Sequence, residues 1–197
     1  MDSAFVGDQP TPDPGQVSIF QRQFNAVNQD ARQHPTHDYF LFTHKPLWMV
    51  KAAGSMPGAV NWVDHTLDAA LAQSSRHQLE DNIRLVLSGH IHIYQMLDFN
   101  TSRPPQLTVG SSGGPLDEGP DDSKVAGQPV GQPTQPVNQS ITQEQNPPNN
   151  LTGIFGYAVL RDNGGVWNLT FHDTTGTVRG QTCALSTSTT NKSFTCH

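Results

Sequence analysis

The residues best suited to chemistry are histidines that follow apolar runs. Leu85-Val86-Leu87-Ser88-Gly89-His90-Ile91-His92 reads as a buried strand delivering Gly89 and two imidazoles to its C-terminal end. That is the end at which ligands bind in open α/β sheets. In extended chain, residues two apart point to the same side, about 6–7 Å apart. His90 and His92 so placed could each take one of two metal ions lying about 3.5–4 Å apart. Gly89, lacking a Cβ, would let the backbone pass close to such ions. Taken alone, His-x-His is more often two surface histidines at a strand end. Phe40-Leu41-Phe42-Thr43 has the same design and ends in His44-Lys45-Pro46, where Pro46 holds Lys45 out of the helical region. If both strands share one parallel sheet, His44, His90 and His92 emerge on one rim.

The elements around these strands support that sheet. Asp13-Pro14 opens a helix with an N-cap and a proline at its first position. Val17, Phe20, Phe24, Val27 and Ala31 then recur at spacings of three and four, and His34-Pro35 ends the run. Residues 38–43 form a continuous apolar run, expected to be a strand buried on both faces. A second helix is expected from about Ala59 to Ala72, with Val60, Val63, Leu67 and Leu71 facing inward. Ile83 to Ser88 is the next buried strand, so the order is helix, strand, helix, strand, which favours parallel pairing. Tyr94 to Phe99, Gln106 to Val109, Ile154 to Arg161 and Val166 to His172 then read as a β-meander. Asn163-Gly164-Gly165 is a strong hairpin signal between the last two. Residues 119–150, rich in Pro, Gln, Gly and Asn, offer little to bury and read as a mobile insertion. A lid over a site is the other reading of that stretch.

Composition narrows the function classes. At 197 residues there is room for one ordinary domain with a real core. A net charge of -6 and 11 scattered Lys and Arg exclude a basic nucleic-acid footprint. No apolar run approaches the roughly 20 residues of a membrane span. Charged residues make up 14%, against about 25% in ordinary soluble proteins. Cys183 and Cys196 lie in a Thr/Ser-rich tail, either as a disulfide worth roughly 3 kcal/mol or as free thiols. The disulfide and the low charge suit an exported protein, periplasmic or extracellular. Met1 to Asp8 has neither the basic nor the apolar region of a signal peptide.

Three pieces together resemble the calcineurin-like metallophosphoesterases, including their purple-acid-phosphatase-like branch. They are His44-Lys45-Pro46 after a buried strand, Gly89 to Tyr94 (Gly-His-x-His-x-Tyr) after another, and a strand running into Gly110-Ser111-Ser112-Gly113-Gly114. Asp2-Ser3 and the helix from Gln16 to Ala31 also sit where that family places a strand end and a helix. The resemblance reaches to about Arg161. It implies an α/β fold, the C-terminal part of an αββα sandwich, with parallel strands followed by a β-meander. Residues 1–118 would be its core and 119–150 the insertion. Residues 151–182 would be a closing hairpin and 183–197 a tail.

The resemblance also implies two divalent or trivalent metal ions, Zn, Fe or Mn, with His44 and His90 on one and His92 on the other. Hydrolysis of a phosphate ester would then proceed by in-line attack of metal-activated hydroxide. Lys45 would contact the phosphate, or simply be solvated at an edge, while Tyr94 would pack. The family's Asp-x-His, Gly-Asp-x-x-Asp and Gly-Asn-His motifs supply its carboxylate ligands and catalytic histidine, and they have no counterpart here. Gly7-Asp8-Gln9-Pro10-Thr11 lacks the second Asp. The expectation is half a site, with reduced or single-metal occupancy and no activity alone. Its own N-terminal half or a homo-oligomer would complete it. The alternative is a non-catalytic fragment of the same fold that binds metal or a partner.

Overall fold

A computed structural model describes residues 1–7, 11–52, 59–62, 64–99, 101–142, 154–186 and 192–197. In chain order the elements are α1 (Pro14–Gln33), β1 (Tyr39–Phe42), β2 (Met49–Ala52), β3 (Ala59–Trp62), α2 (His65–Ala72), β4 (Ile83–Ser88), β5 (Tyr94–Phe99) and β6 (Gln106–Val109). They continue as α3 (Asp122–Val125), β7 (Pro129–Val130), β8 (Gln135–Thr142), β9 (Gly156–Asp162), β10 (Val166–Asp173), β11 (Val178–Ser186) and β12 (Phe194–Cys196). A mixed six-stranded sheet runs β1-β4-β6-β5-β8-β7, and an antiparallel four-stranded sheet runs β12-β11-β10-β9. Within the first sheet, β1, β4 and β6 are parallel neighbours, and β5, β8 and β7 join antiparallel.

Two apolar cores set three layers. Val17, Phe20, Phe24 and Ala31 of α1 and Leu67 and Leu71 of α2 pack on Leu41 and Val86, from one face of the large sheet. Leu85, Met96 and Leu107 on the other face meet Leu169, Phe171, Cys183 and Leu185 of the small sheet. Alternation along each strand makes this possible, since neighbouring side chains point to opposite faces. Helices, large sheet and small sheet therefore stack in that order. The chain is a mixed α/β protein, as expected.

Helix α1 matches its sequence signature. The Asp13 carboxylate accepts from the Gly15 and Gln16 N–H groups at 2.8 and 3.1 Å, capping a helix with proline at its first position. Val27 is only partly buried, and Asn28 occupies the core instead. Its amide donates to the Gln78 carbonyl at 2.8 Å and accepts from the Glu80 N–H at 3.0 Å. That fastens α1 to the turn that leads into β4.

Four expectations change. The strand at 39–42 is not buried on both faces: Leu41 is buried in the core with α1, whereas Phe42, on the opposite face, joins neither core and is 62% exposed. The second helix begins at His65, not Ala59, since the Asp64 carboxylate accepts from the Leu67 N–H at 2.9 Å and caps it there. Ala59–Trp62 is instead strand β3, paired with β2, in keeping with its β-branched Val60 and aromatic Trp62. Val63 lies outside the described residues.

The segment 119–150 is built into the fold as far as residue 142. Val125, Val130 and Val137 are buried, and β8 pairs with β5 from Gln95↔Thr142 to Phe99↔Val137. Asp122 holds β8 from the side, accepting from Ser140 Oγ at 2.7 Å and the Thr142 N–H at 2.8 Å. Residues 143–150 lie outside the described set. The closing hairpin, with Gly164 and Gly165 at φ 70° and 96°, is extended by β11 and β12, so residues 183–186 and 194–196 are strand rather than tail. Cys183 and Cys196 face each other across β11 and β12 and form the disulfide.

One buried charge makes stability depend on pH. Asp98 on β5 is fully buried; its Oδ1 is left without a hydrogen bond, and the Asn138 amide, 3.5 Å from Oδ2, and the backbone N–H groups of Phe99 and Phe194 only partly offset that burial. Burial pushes its pKa up to about 6. A carboxyl with a raised folded-state pKa favours folding when protonated, so this contribution falls as pH rises from about 4 to about 6. Asp98→Asn should raise unfolding stability at neutral pH by on the order of 2–3 kcal/mol and change it little near pH 4. Urea titrations at the two pH values check this.

Candidate metal centre

The first two histidines are brought together by the ladder between β1 and β4. Phe42 stands in register with Leu87, and the parallel bonding continues past both strand ends. The Thr43 N–H donates to the Leu87 carbonyl at 2.9 Å, and the Gly89 N–H donates to the His44 carbonyl at 3.1 Å. The next residue on that side is His90. His44 Nε2 lies 3.2 Å from His90 Nδ1, with ring centroids 5.0 Å apart.

This spacing suits a shared cation. Two imidazole nitrogens bound at about 2.0–2.1 Å to one ion, at angles between square and tetrahedral, lie roughly 3.0–3.4 Å apart. The observed separation falls inside that window. Without a cation, one ring N–H donates to the lone pair of the other ring. His44 is exposed and His90 half-buried, so solvent reaches the pair.

Beyond Gly89 the chain does not stay extended. The Ile91 N–H donates to the Gly89 carbonyl at 2.8 Å, closing a three-residue turn centred on His90, whose φ is 68°. That positive φ is uncommon for a side-chain-bearing residue and marks strain held by its surroundings. A second such turn follows, from the Ile93 N–H to the Ile91 carbonyl at 2.8 Å. The expectation that His90 and His92 project to one side of an extended strand therefore fails. His90 turns toward His44, while His92 is held by the loop after β6: its Nδ1 lies 2.8 Å from the Pro115 carbonyl oxygen. Among the described residues no group of three or more His, Cys, Asp or Glu is arranged to hold a metal ion. Two of the three expected ligands thus contact each other, and His92 contacts the loop after β6.

The other singled-out residues have plainer places. Lys45 is 2% exposed; its Nζ donates to the Val6 carbonyl at 2.6 Å and its N–H to Ser3 Oγ at 2.9 Å. Its charge is directed into the fold rather than held at the rim for a phosphate. A Cβ added at Gly89 would stand 3.9 Å from the Val109 carbonyl oxygen, an ordinary contact. Tyr94 packs on Phe171 at 4.7 Å between centroids, and burial raises its phenol pKa. Asp8 lies outside the described residues. His65 and His77 are exposed.

Sequence reading missed the buried amides that hold the rim from behind. Gln106 accepts from the Leu47 N–H at 3.1 Å and donates to Ser88 Oγ at 2.8 Å. It joins the segment after His44 to the end of β4. Gln95 accepts from the Val50 N–H at 3.2 Å and donates to the Val50 carbonyl at 2.9 Å. A polar residue in an otherwise apolar strand was the available signal, because such a group is buried only with its partners.

No protein-family model matches the chain, and no curated protein matches it. The metal reading therefore rests on the motifs and on the geometry above.

Zinc titrated into the chain, followed with a competing chelator, should fill one site. His44→Ala and His90→Ala should each weaken it by roughly tenfold or more, since losing a ligand costs at least as much as losing a ligand's support. Equal affinity in wild type and both variants would remove this centre.

Proposed function

We propose that this chain carries the histidine side of a metal centre that hydrolyses phosphate esters. The observation that carries the reading is the 3.2 Å contact between His44 and His90 at the ends of adjacent parallel strands. The motif resemblance to calcineurin-like metallophosphoesterases supports it, as does the α/β architecture in which two sheets pack face to face beneath a helical layer. The finer assignment to that family's sandwich is part of the same proposal.

His44 and His90 would hold one cation through Nε2 and Nδ1, the atoms that already face each other. His92 would offer its Nε2, because its other ring nitrogen is occupied by the Pro115 carbonyl. A divalent ion held there would polarise a phosphoryl oxygen and lower the pKa of a bound water. Neutral imidazoles supply no negative charge, so they suit a substrate that is itself anionic better than a neutral one. The carboxylate ligands and the proton donor that the resemblance assigns to Asp-x-His, Gly-Asp-x-x-Asp and Gly-Asn-His would come from a segment bearing those motifs. Export from the cell, supported by the disulfide between Cys183 and Cys196, belongs to this proposal too.

The test is hydrolysis of an aryl phosphate with manganese or zinc, using the chain alone and the chain expressed behind the reading frame preceding Met1. The longer protein should be active and the chain alone near background. His90→Ala should lower the activity roughly 100-fold or more, about 3 kcal/mol of transition-state stabilisation. An active protein indifferent to His90→Ala, or no hydrolysis with either metal, would overturn the proposal.

A further inference from the structure

One short loop holds His92 by its backbone and by one ring nitrogen. The His92 N–H donates to Asp117 Oδ2 at 2.9 Å, and the His92 carbonyl accepts from the Asp117 N–H at 3.1 Å. This two-point pairing fixes the backbone of His92 in position and direction. With the backbone so placed, the ring reaches the Pro115 carbonyl oxygen, 2.8 Å from Nδ1. A carbonyl oxygen can only accept, so Nδ1 carries the proton and Nε2 keeps its lone pair.

The loop's glycines make this grip possible. A Cβ on Gly114 would stand 2.6 Å from His92 Cε1 and 2.9 Å from its Nδ1. A Cβ on Gly110 would stand 1.8 Å from the Ile91 carbonyl oxygen, closer than any atoms can approach without moving the backbone. The Gly110 N–H also donates to the Ile93 carbonyl at 2.9 Å. Loop and turn therefore form one interlocked unit, with His92 at its centre.

We propose that Asp117 is the positioning residue for His92, acting with the Pro115 carbonyl and the space at Gly114 to present Nε2 as a fixed electron-pair donor. The nature of what Nε2 meets rests on the metal reading above; the grip itself does not. Asp117 acts through the histidine, its Oδ2 accepting from the His92 N–H. His44 and His90, by contrast, constrain each other through their own ring contact. The fixed imidazole and the mutually adjusting pair are thus held by different means.

The experiment records side-chain nitrogen shifts of histidine-labelled, metal-free full-length chain, at a pH well above the ordinary histidine pKa of about 6.5. The His92 signal is identified by its loss in His92→Gln. It should show a single tautomer with the proton on Nδ1. Asp117→Ala should mix the two tautomers and weaken zinc binding about 10–100-fold. Asp117→Asn, whose side-chain oxygen can still accept from the His92 N–H, should keep both properties. A proton on Nε2 in the wild type, or an Asp117→Ala variant with unchanged tautomer and zinc affinity, would overturn the proposal. If Asp117→Ala fails to fold, the wild-type tautomer and the Asn variant decide. A fixed Nδ1–H tautomer in a protein that binds no zinc would uphold the grip and sink the metal centre. Zinc binding with a mixed tautomer would sink the grip alone.

Discussion

The parallel register between β1 and β4 is the constraint on which everything at the rim depends. It is pinned at both ends. Where the strands begin, Arg84 donates to Asp38 at 2.6 Å, and the Tyr39 N–H donates to the Asn82 carbonyl at 2.8 Å. Where they end, the bond from the Gly89 N–H to the His44 carbonyl sets the two histidines side by side. A slip of one residue would send every side chain of β1 to the opposite face. It would take His44 away from His90 and expose Leu41. Core packing and ligand geometry therefore demand the same register, and neither can drift without the other.

Much of this was legible in the sequence. The α1 stripe, the strands at 39–42 and 83–88 and the hairpin at 163–165 carry strong local signals, and they appear where those signals place them. His44, His90 and His92 were legible as candidates because each follows an apolar run. Their mutual arrangement was not, because alternation assumes extended chain and His90 sits in a tight turn with φ 68°. Composition misled at β8, whose Val137 and Ile141 are diluted by Pro, Gln, Asn and Ser. Its place is secured by hydrogen bonds to β5 and by Asp122, and those partners are distant in sequence. The grip on His92 was equally hidden, since nothing in a glycine-rich loop declares which side chain it will enclose.

The low charge of the chain fits how its interior is joined. Asn28, Gln95 and Gln106 tie one element to another through paired donor and acceptor contacts. Amides can do this without the desolvation cost of a buried ion. The small sheet takes part as well. Phe40 meets Trp167 edge-on at 4.9 Å. The Gly156 N–H donates to the Ser111 carbonyl at 3.1 Å, anchoring the loop that encloses His92. The second sheet thus steadies the rim from behind.

The ring contact between His44 and His90 joins positions 46 residues apart. Contacts between distant positions form late on the way to the native state, since the intervening chain must be closed before they return any energy. A nascent or partly collapsed chain holds these histidines singly, and a lone imidazole is a poor trap for a cation. Under the proposed metal reading, capture would wait until α2 has crossed over and the sheet has closed. Any ion bound afterwards favours the assembled state over every earlier one, so it acts as a latch on finished molecules rather than a seed for their formation.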